Sequence, residues 1–233
     1  LQNMPPLAVH SYTSTMGDPH TRAMVAADLN ARFGCAAKPE ELLLCCGAAP
    51  EVSAVCKALT TEGAEIFVFA PYFPEYKPYI EQAGAIFRVV PPDIPDFQLN
   101  LAALEEMLSP NTSAVIINNP NNPVGTVYSR ATIEALAALL ERKSAEFGHR
   151  IYIIADEPYR ELVYDGATVP FIPNIYPHTV VCYSYSKSLS LPGERLGYIY
   201  VPAAAQDGRD LYYAIVGAAR AMGHVCAPSL MQL

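Results

Sequence analysis

Apolar positions along this chain occur in two textures. Short, mostly apolar runs cover 41–46 (Glu-Leu-Leu-Leu-Cys-Cys), 64–70, 85–90, 114–118, 151–155, 180–183 and 196–201, and each predicts a strand. Between these runs, apolar residues recur every three or four positions, the spacing of one helix face. Asp18-Pro19 ahead of Met24, Val25, Leu29 and Phe33 predicts a capped helix that stops at Gly34. Val52, Val55, Cys56 and Leu59 mark a second helix, and residues 72–83 and 101–108 read as two more. Ile133, Leu136, Leu139 and Leu140 stripe a long helix over 130–147. Strands apolar on both sides, alternating with amphipathic helices, imply a mostly parallel sheet between two helical layers, a three-layer α/β/α fold. In such sheets ligands bind beyond the carboxyl ends of the strands. The unusual loops here all follow strands: Gly47-Ala48-Ala49, Pro71-Tyr72-Phe73, 118–125, Asp156 to Tyr159 and Ser184 to Lys187. Strand ends of this kind facing one crevice would make a single site.

Composition removes several classes of function. At 233 residues, 52% of them hydrophobic and 16% charged, the chain can build a substantial core. A net charge of −8 with no basic stripe gives nothing to neutralise a phosphate backbone, so no nucleic-acid partner is expected. No apolar stretch reaches membrane-spanning length, and no membrane partner is expected either. The six cysteines (Cys35, Cys45, Cys46, Cys56, Cys182, Cys226) lack C-x-x-C spacing, and the five histidines are scattered. Neither a disulfide framework nor a zinc site follows from that, and no metal is expected. Residues 1–6 show no basic segment leading into an apolar one, and no starting methionine. The expectation is a reduced, cytoplasmic protein of which this chain is a portion.

Lys187 is the strongest candidate for chemistry among the five lysines. The others lie in charged, polar or helix-like surroundings. Lys187 follows the apolar run 179–183 and sits among small hydroxyls in Ser184-Tyr185-Ser186-Lys187-Ser188, on what reads as a short loop. A lysine so placed is either an exposed loop residue or one ready to lose its proton and attack a carbonyl. Gly47-Ala48-Ala49, between a strand and a helix, is either an ordinary tight connection or an anion cradle of backbone N–H groups. Asp156 ends a buried strand, where a carboxylate must find a cation or a hydrogen bond. It is either a helix N-cap ahead of Pro158 or the partner of a protonated ring nitrogen, with Tyr159 close by. Asn122 belongs either to a turn or to a ring hydroxyl. Phe73 is either core or a stacking surface, and Arg195 either a surface residue or a phosphate ligand. A lysine, a carboxylate, a phenol, an amide and an anion cradle together match the needs of pyridoxal 5′-phosphate.

Three segments also resemble a known family in order and spacing: Asn122-Pro123-Val124-Gly125, Asp156-Glu157-Pro158-Tyr159, and Ser184 to Lys187 with Gly193-Glu194-Arg195-Leu196-Gly197. They look like the class I/II aminotransferases of fold type I, aspartate aminotransferase-like, over essentially the whole chain. The resemblance implies the large domain of that fold, with residues 1–34 as an N-terminal segment and first helix and 35–233 as an incomplete cofactor-binding domain. The C-terminal small domain, with the arginine that binds the substrate α-carboxylate, would be missing. Val124 stands where the family usually has Thr or Ser, at a spacer position.

Carried over by residue, the resemblance implies that Lys187 holds the cofactor as a Schiff base and shuttles the proton. Asp156 would bind the pyridine nitrogen, Tyr159 and Asn122 the ring hydroxyl, and Phe73 the ring face. The Ala48 and Ala49 amides, with Ser184 and Arg195, would hold the phosphate. Tyr12 would reach the phosphate of a neighbouring subunit, which implies a homodimer. The expected reaction is transamination between an L-amino acid and a 2-oxo acid, with a broad or aspartate/aromatic-type donor and 2-oxoglutarate; aspartate, aromatic and branched donors all stay open. A C–S β-lyase using the same pocket, and a regulatory module that binds the cofactor without turnover, remain as alternatives.

Overall fold

The computed structural model describes residues 4–233; Leu1-Gln2-Asn3, part of the stretch searched for a leader, lies outside them. Seven strands form one sheet: β1 (Leu42–Cys45), β2 (Glu65–Phe69), β3 (Ile86–Val90), β4 (Thr112–Asn118), β5 (Tyr152–Asp156), β6 (Thr179–Ser184) and β7 (Gly197–Tyr200). Their spatial order is β1-β7-β6-β5-β4-β2-β3. All neighbours are parallel except at β7, which runs antiparallel to both β1 and β6. Because β7 is antiparallel to both of its neighbours, β1 points the same way as β6, and six carboxyl ends meet on one edge.

The apolar runs have a direct cause. Except in the edge strand β3, alternate residues of the strands enter two separate cores, one on each face. Phe67 and Phe69 of β2 face one core while Ile66 and Val68 face the other; Val115 and Ile117 against Ala114 and Ile116 repeat this on β4. Helices α2 (Pro19–Phe33), α5 (Leu101–Met107) and α6 (Arg130–Phe147) cover the first face. On the other lie α3 (Ala48–Ala58), α4 (Tyr76–Ala83) and α8 (Gly208–Ala221). The three-layer, mostly parallel arrangement expected from the pattern is therefore the observed fold. No helix among the described residues is long and apolar enough to cross a membrane.

The helix ends follow their capping residues. The Asp18 carboxylate accepts from the Thr21 N–H at 2.9 Å, and Gly34 closes α2 in the left-handed region. Ser129 caps α6 in the same way, accepting from the Thr132 N–H at 3.0 Å. Three expectations need correction. The helix predicted over 72–83 starts only at Tyr76, because Pro71 and Pro74 keep the preceding residues in a loop. A short helix at Pro6–His10 (α1), and α8 itself, were not foreseen; α8 opens without a side-chain cap and carries Gly208 and Gly217, which obscure its stripe of Leu211, Ile215 and Ala219. Lys187 lies on a helical turn, α7 (Tyr185–Ser188), rather than on a loop.

Candidate active site

A cavity of about 220 Å³ opens at the shared carboxyl edge of the sheet. It is lined by Ala48, Ala49, Phe73, Asn122, Asp156, Tyr159, Ser184, Lys187 and Arg195, which is every residue singled out from the sequence except Tyr12. Tyr12 is 83% exposed and lies outside this cavity. The fold thus gathers residues that end or follow β1, β2, β4, β5 and β6 and lie between positions 48 and 195 of the chain.

One end of the cavity is built for an anion. Gly47 precedes α3 with φ +91 and supplies no side-chain cap, unlike Asp18 and Ser129 at their helices. The first N–H groups of α3 are left for a ligand, with the positive end of the helix dipole behind them. Arg195 lies across Gly47; a Cβ at that position would sit 2.6 Å from its Nη2. The Arg195 Nη1 donates to the Pro192 carbonyl at 2.8 Å and to Ser186 Oγ at 3.3 Å. Ser184 Oγ in turn donates to Ser186 Oγ at 2.8 Å. Ser186, passed over in the sequence, bridges the two phosphate candidates.

The other end is built for a cation or an N–H donor. Asp156 is the last residue of β5 and buried. Its Oδ2 accepts from the Tyr76 hydroxyl at 2.5 Å, while Oδ1 is buried without any partner. Burial pushes this carboxyl up to about 7; the Tyr76 hydrogen bond opposes the rise and Glu157 adds to it. The N-cap reading is excluded, since no helix starts after Asp156 and its carboxylate takes a hydroxyl from α4 instead. Asn118, at the end of β4 and in register with Asp156, donates to the Asp156 carbonyl at 2.9 Å. Its Oδ1 accepts from the Asn122 N–H at 2.6 Å, so one amide ties two candidate residues together.

Between the ends stand a phenol, a ring and an amine. Burial raises the Tyr159 phenol, Asp156 adds to the rise, and a hydrogen bond from Asn122 opposes it. Phe73 is half-buried and meets Tyr76 edge to face, ring centroids 5.6 Å apart. Lys187 Nζ lies 6.0 Å from the Tyr159 ring centroid. Burial ends at Ser184, and Lys187 is open to solvent at the cavity rim. Glu51, in the first turn of α3, was also missed. It is wholly buried, neither carboxylate oxygen has a partner, and its Oε1 presses on Gly197 where no Cβ would fit. Burial holds its carboxyl well above the usual range, with Asp156 adding and Arg195 opposing. No group of three or more metal-ligating side chains occurs among the described residues.

Comparison with known proteins gives this geometry a context. The family model for "Aminotransferase class I and II" matches residues 7–233. A crystal structure of an amino transferase from Eubacterium rectale superposes with a TM-score of 0.97 at 52% identity, covering 99% of this chain and 58% of that one. The N-succinyldiaminopimelate aminotransferase of Mycobacterium tuberculosis superposes at 0.85 with 28% identity, covering 96% of this chain and 57% of that one. An aspartate aminotransferase of Thermotoga maritima is 32% identical over 191 residues, 81% of this chain and 49% of its own length. The chain spans about half the length of the curated relatives it matches. With the family model aligned to all but the first few residues, and the same strand-edge architecture in solved relatives, the chain belongs to the class I and II aminotransferase family.

Proposed function

We propose that this chain binds pyridoxal 5′-phosphate in the strand-edge cavity and, as part of its full-length protein, transfers an amino group between an L-amino acid and a 2-oxo acid. The observation that carries the reading is the orphaned Oδ1 of Asp156, a residue lining a cavity that Arg195 and the uncapped start of α3 also line. A buried carboxylate oxygen without a partner fits a protonated ring nitrogen, and free helix N–H groups beside a guanidinium fit a phosphate. When bound, the cofactor supplies an electron sink for the bond broken at the substrate Cα.

The chain's own residues then divide the work. Ala48 and Ala49 N–H groups, Ser184 and Arg195 hold the phosphate. Asp156 keeps the ring nitrogen protonated, Tyr159 and Asn122 bind the ring hydroxyl, and Phe73 covers one ring face. Lys187 Nζ would anchor the cofactor covalently and would serve as the base that holds and moves the proton at the substrate Cα. Its position at the rim leaves that nitrogen open to the cavity mouth. Tyr12, exposed here, reaches the phosphate of a second subunit in a homodimer. Six free cysteines accord with a cytoplasmic location. Relatives named as aminotransferases favour transfer over β-elimination or a non-catalytic regulatory role.

The test is the absorbance of the purified protein with added pyridoxal phosphate, followed by borohydride reduction and mass mapping. A visible band and a reduced adduct on Lys187 are expected. Lys187→Ala should lower amino transfer by at least about three orders of magnitude, because anchor and base are lost together. An adduct on another lysine, or full activity in that variant, would overturn the assignment.

A further inference from the structure

Asp156 has two oxygens and only one of them is held. We propose that Tyr76 is the positioning residue of the Asp156 carboxylate, its hydroxyl fixing Oδ2 so that Oδ1 is presented to the cofactor's ring nitrogen. This rests on the cofactor reading above and adds to it a residue that the sequence did not single out.

The geometry is specific. Tyr76 opens α4 and is 2% exposed, with its hydroxyl 2.5 Å from Asp156 Oδ2. No other side chain among the described residues hydrogen-bonds either carboxylate oxygen. Burial and the Asp156 charge hold the Tyr76 phenol well above its usual range, so it stays protonated and keeps donating. A phenol that cannot ionise acts as a permanent donor to the charged form of its partner. The Tyr76 N–H also donates to the Phe73 carbonyl at 3.1 Å. Thus one loop delivers both the aromatic wall of the cavity and the clamp on its carboxylate. The titratable groups around that carboxyl are Glu51 of α3, Glu157 and Tyr159 past β5, Cys182 of β6 and Tyr79 of α4. None of them donates to it. If Tyr76 were only a core aromatic, phenylalanine would serve as well.

The test compares pyridoxal 5′-phosphate with its 1-deaza analogue, in which the ring nitrogen is replaced by CH, on the unaltered protein and on Tyr76→Phe. Loss of a hydrogen bond to a charged group corresponds to about a tenfold change or more in binding. Pyridoxal phosphate should therefore weaken about tenfold in the variant, and the deaza analogue should change less than about twofold. In the cofactor-free protein, the Asp156 carboxyl, followed by carbon-13 NMR, should titrate about one pH unit higher in Tyr76→Phe, since the donor favours the ionised form.

Equal weakening of both ligands would make Tyr76 a packing residue and overturn the proposal, as would unchanged affinity for pyridoxal phosphate. Failure of the unaltered protein to bind pyridoxal phosphate would overturn the cofactor reading and the ring-nitrogen role with it; the carboxyl titration would still report whether Tyr76 holds Asp156. Should Tyr76→Phe not fold, 3-fluorotyrosine at position 76 keeps the shape and strengthens the donor. The Asp156 titration must then move down, and an unmoved titration overturns the proposal.

Discussion

At the end of β5 two consecutive carboxylates turn to opposite faces of the sheet, and the two faces treat them differently. Glu157 meets Arg160, whose Nε donates to its Oε2 at 2.6 Å and whose Nη2 makes a second, shorter contact. That guanidinium lies over the rings of Phe33, Phe171 and Tyr183 and donates to the Tyr198 hydroxyl at 3.3 Å. Asp156, on the other face, receives one phenol and no cation. A charge already met by a cation inside the fold serves the fold. A charge left half-met at a cavity wall is held ready for something that enters. Strand alternation alone separates the two roles.

The sharpest way to break this contrast is to remove the cation from the matched side. Arg160→Met should cost about 4–5 kcal/mol in urea unfolding, since Glu157 is left buried and uncompensated. A loss below about 1 kcal/mol would show that the ion pair is not what holds this face. The next test acts on the unmatched side. The Asp156 carboxyl is raised from 3.8 to about 7 in the fold, so its contribution is fully present below about pH 4 and is lost as pH rises through 7. That corresponds to a fall on the order of 4 kcal/mol in the cofactor-free protein between pH 4 and 8. Asp156→Asn should flatten this slope while weakening cofactor binding, read by unfolding curves at both pH values and by ligand titration. An unchanged slope would mean that the group titrates normally. The mildest change is Tyr198→Phe, which removes one long hydrogen bond to Arg160 and should cost about 0.5–1 kcal/mol. Cofactor affinity should not move; if it does, the two faces communicate.

Much of the fold was legible because burial on both faces makes central strands apolar throughout. The candidate site was legible where it depends on single strand ends: Asp156, Asn122, Ser184 and the Gly47 turn each announce themselves by a residue type at odds with the apolar run before it. What was not legible depends on pairing between distant elements. Tyr76 reads locally as an ordinary helix residue, and only the approach of α4 to β5 gives its hydroxyl a partner eighty positions away. Glu51 looks like a routine first-turn acid, yet the close packing of α3 on Gly197 buries it. For Lys187 the sequence left an exposed and a reactive reading both open, and the strand's cover stops at Ser184, so the turn that carries it stands in solvent.

The reversed strand β7 has a consequence for how the two cations move. Ser184 and Gly197 are register partners across β6 and β7, so the chain leaves the sheet and re-enters it at adjacent points. Lys187 and Arg195 both ride on the short excursion between those feet. A parallel crossover would have sent the chain to the far edge and placed such residues on unconnected segments. Here a closed tether of modest length limits the freedom of both charges at once. Loosening either foot would therefore release the amine and the guanidinium together, and the anchor and the phosphate grip would be gained or lost as one unit.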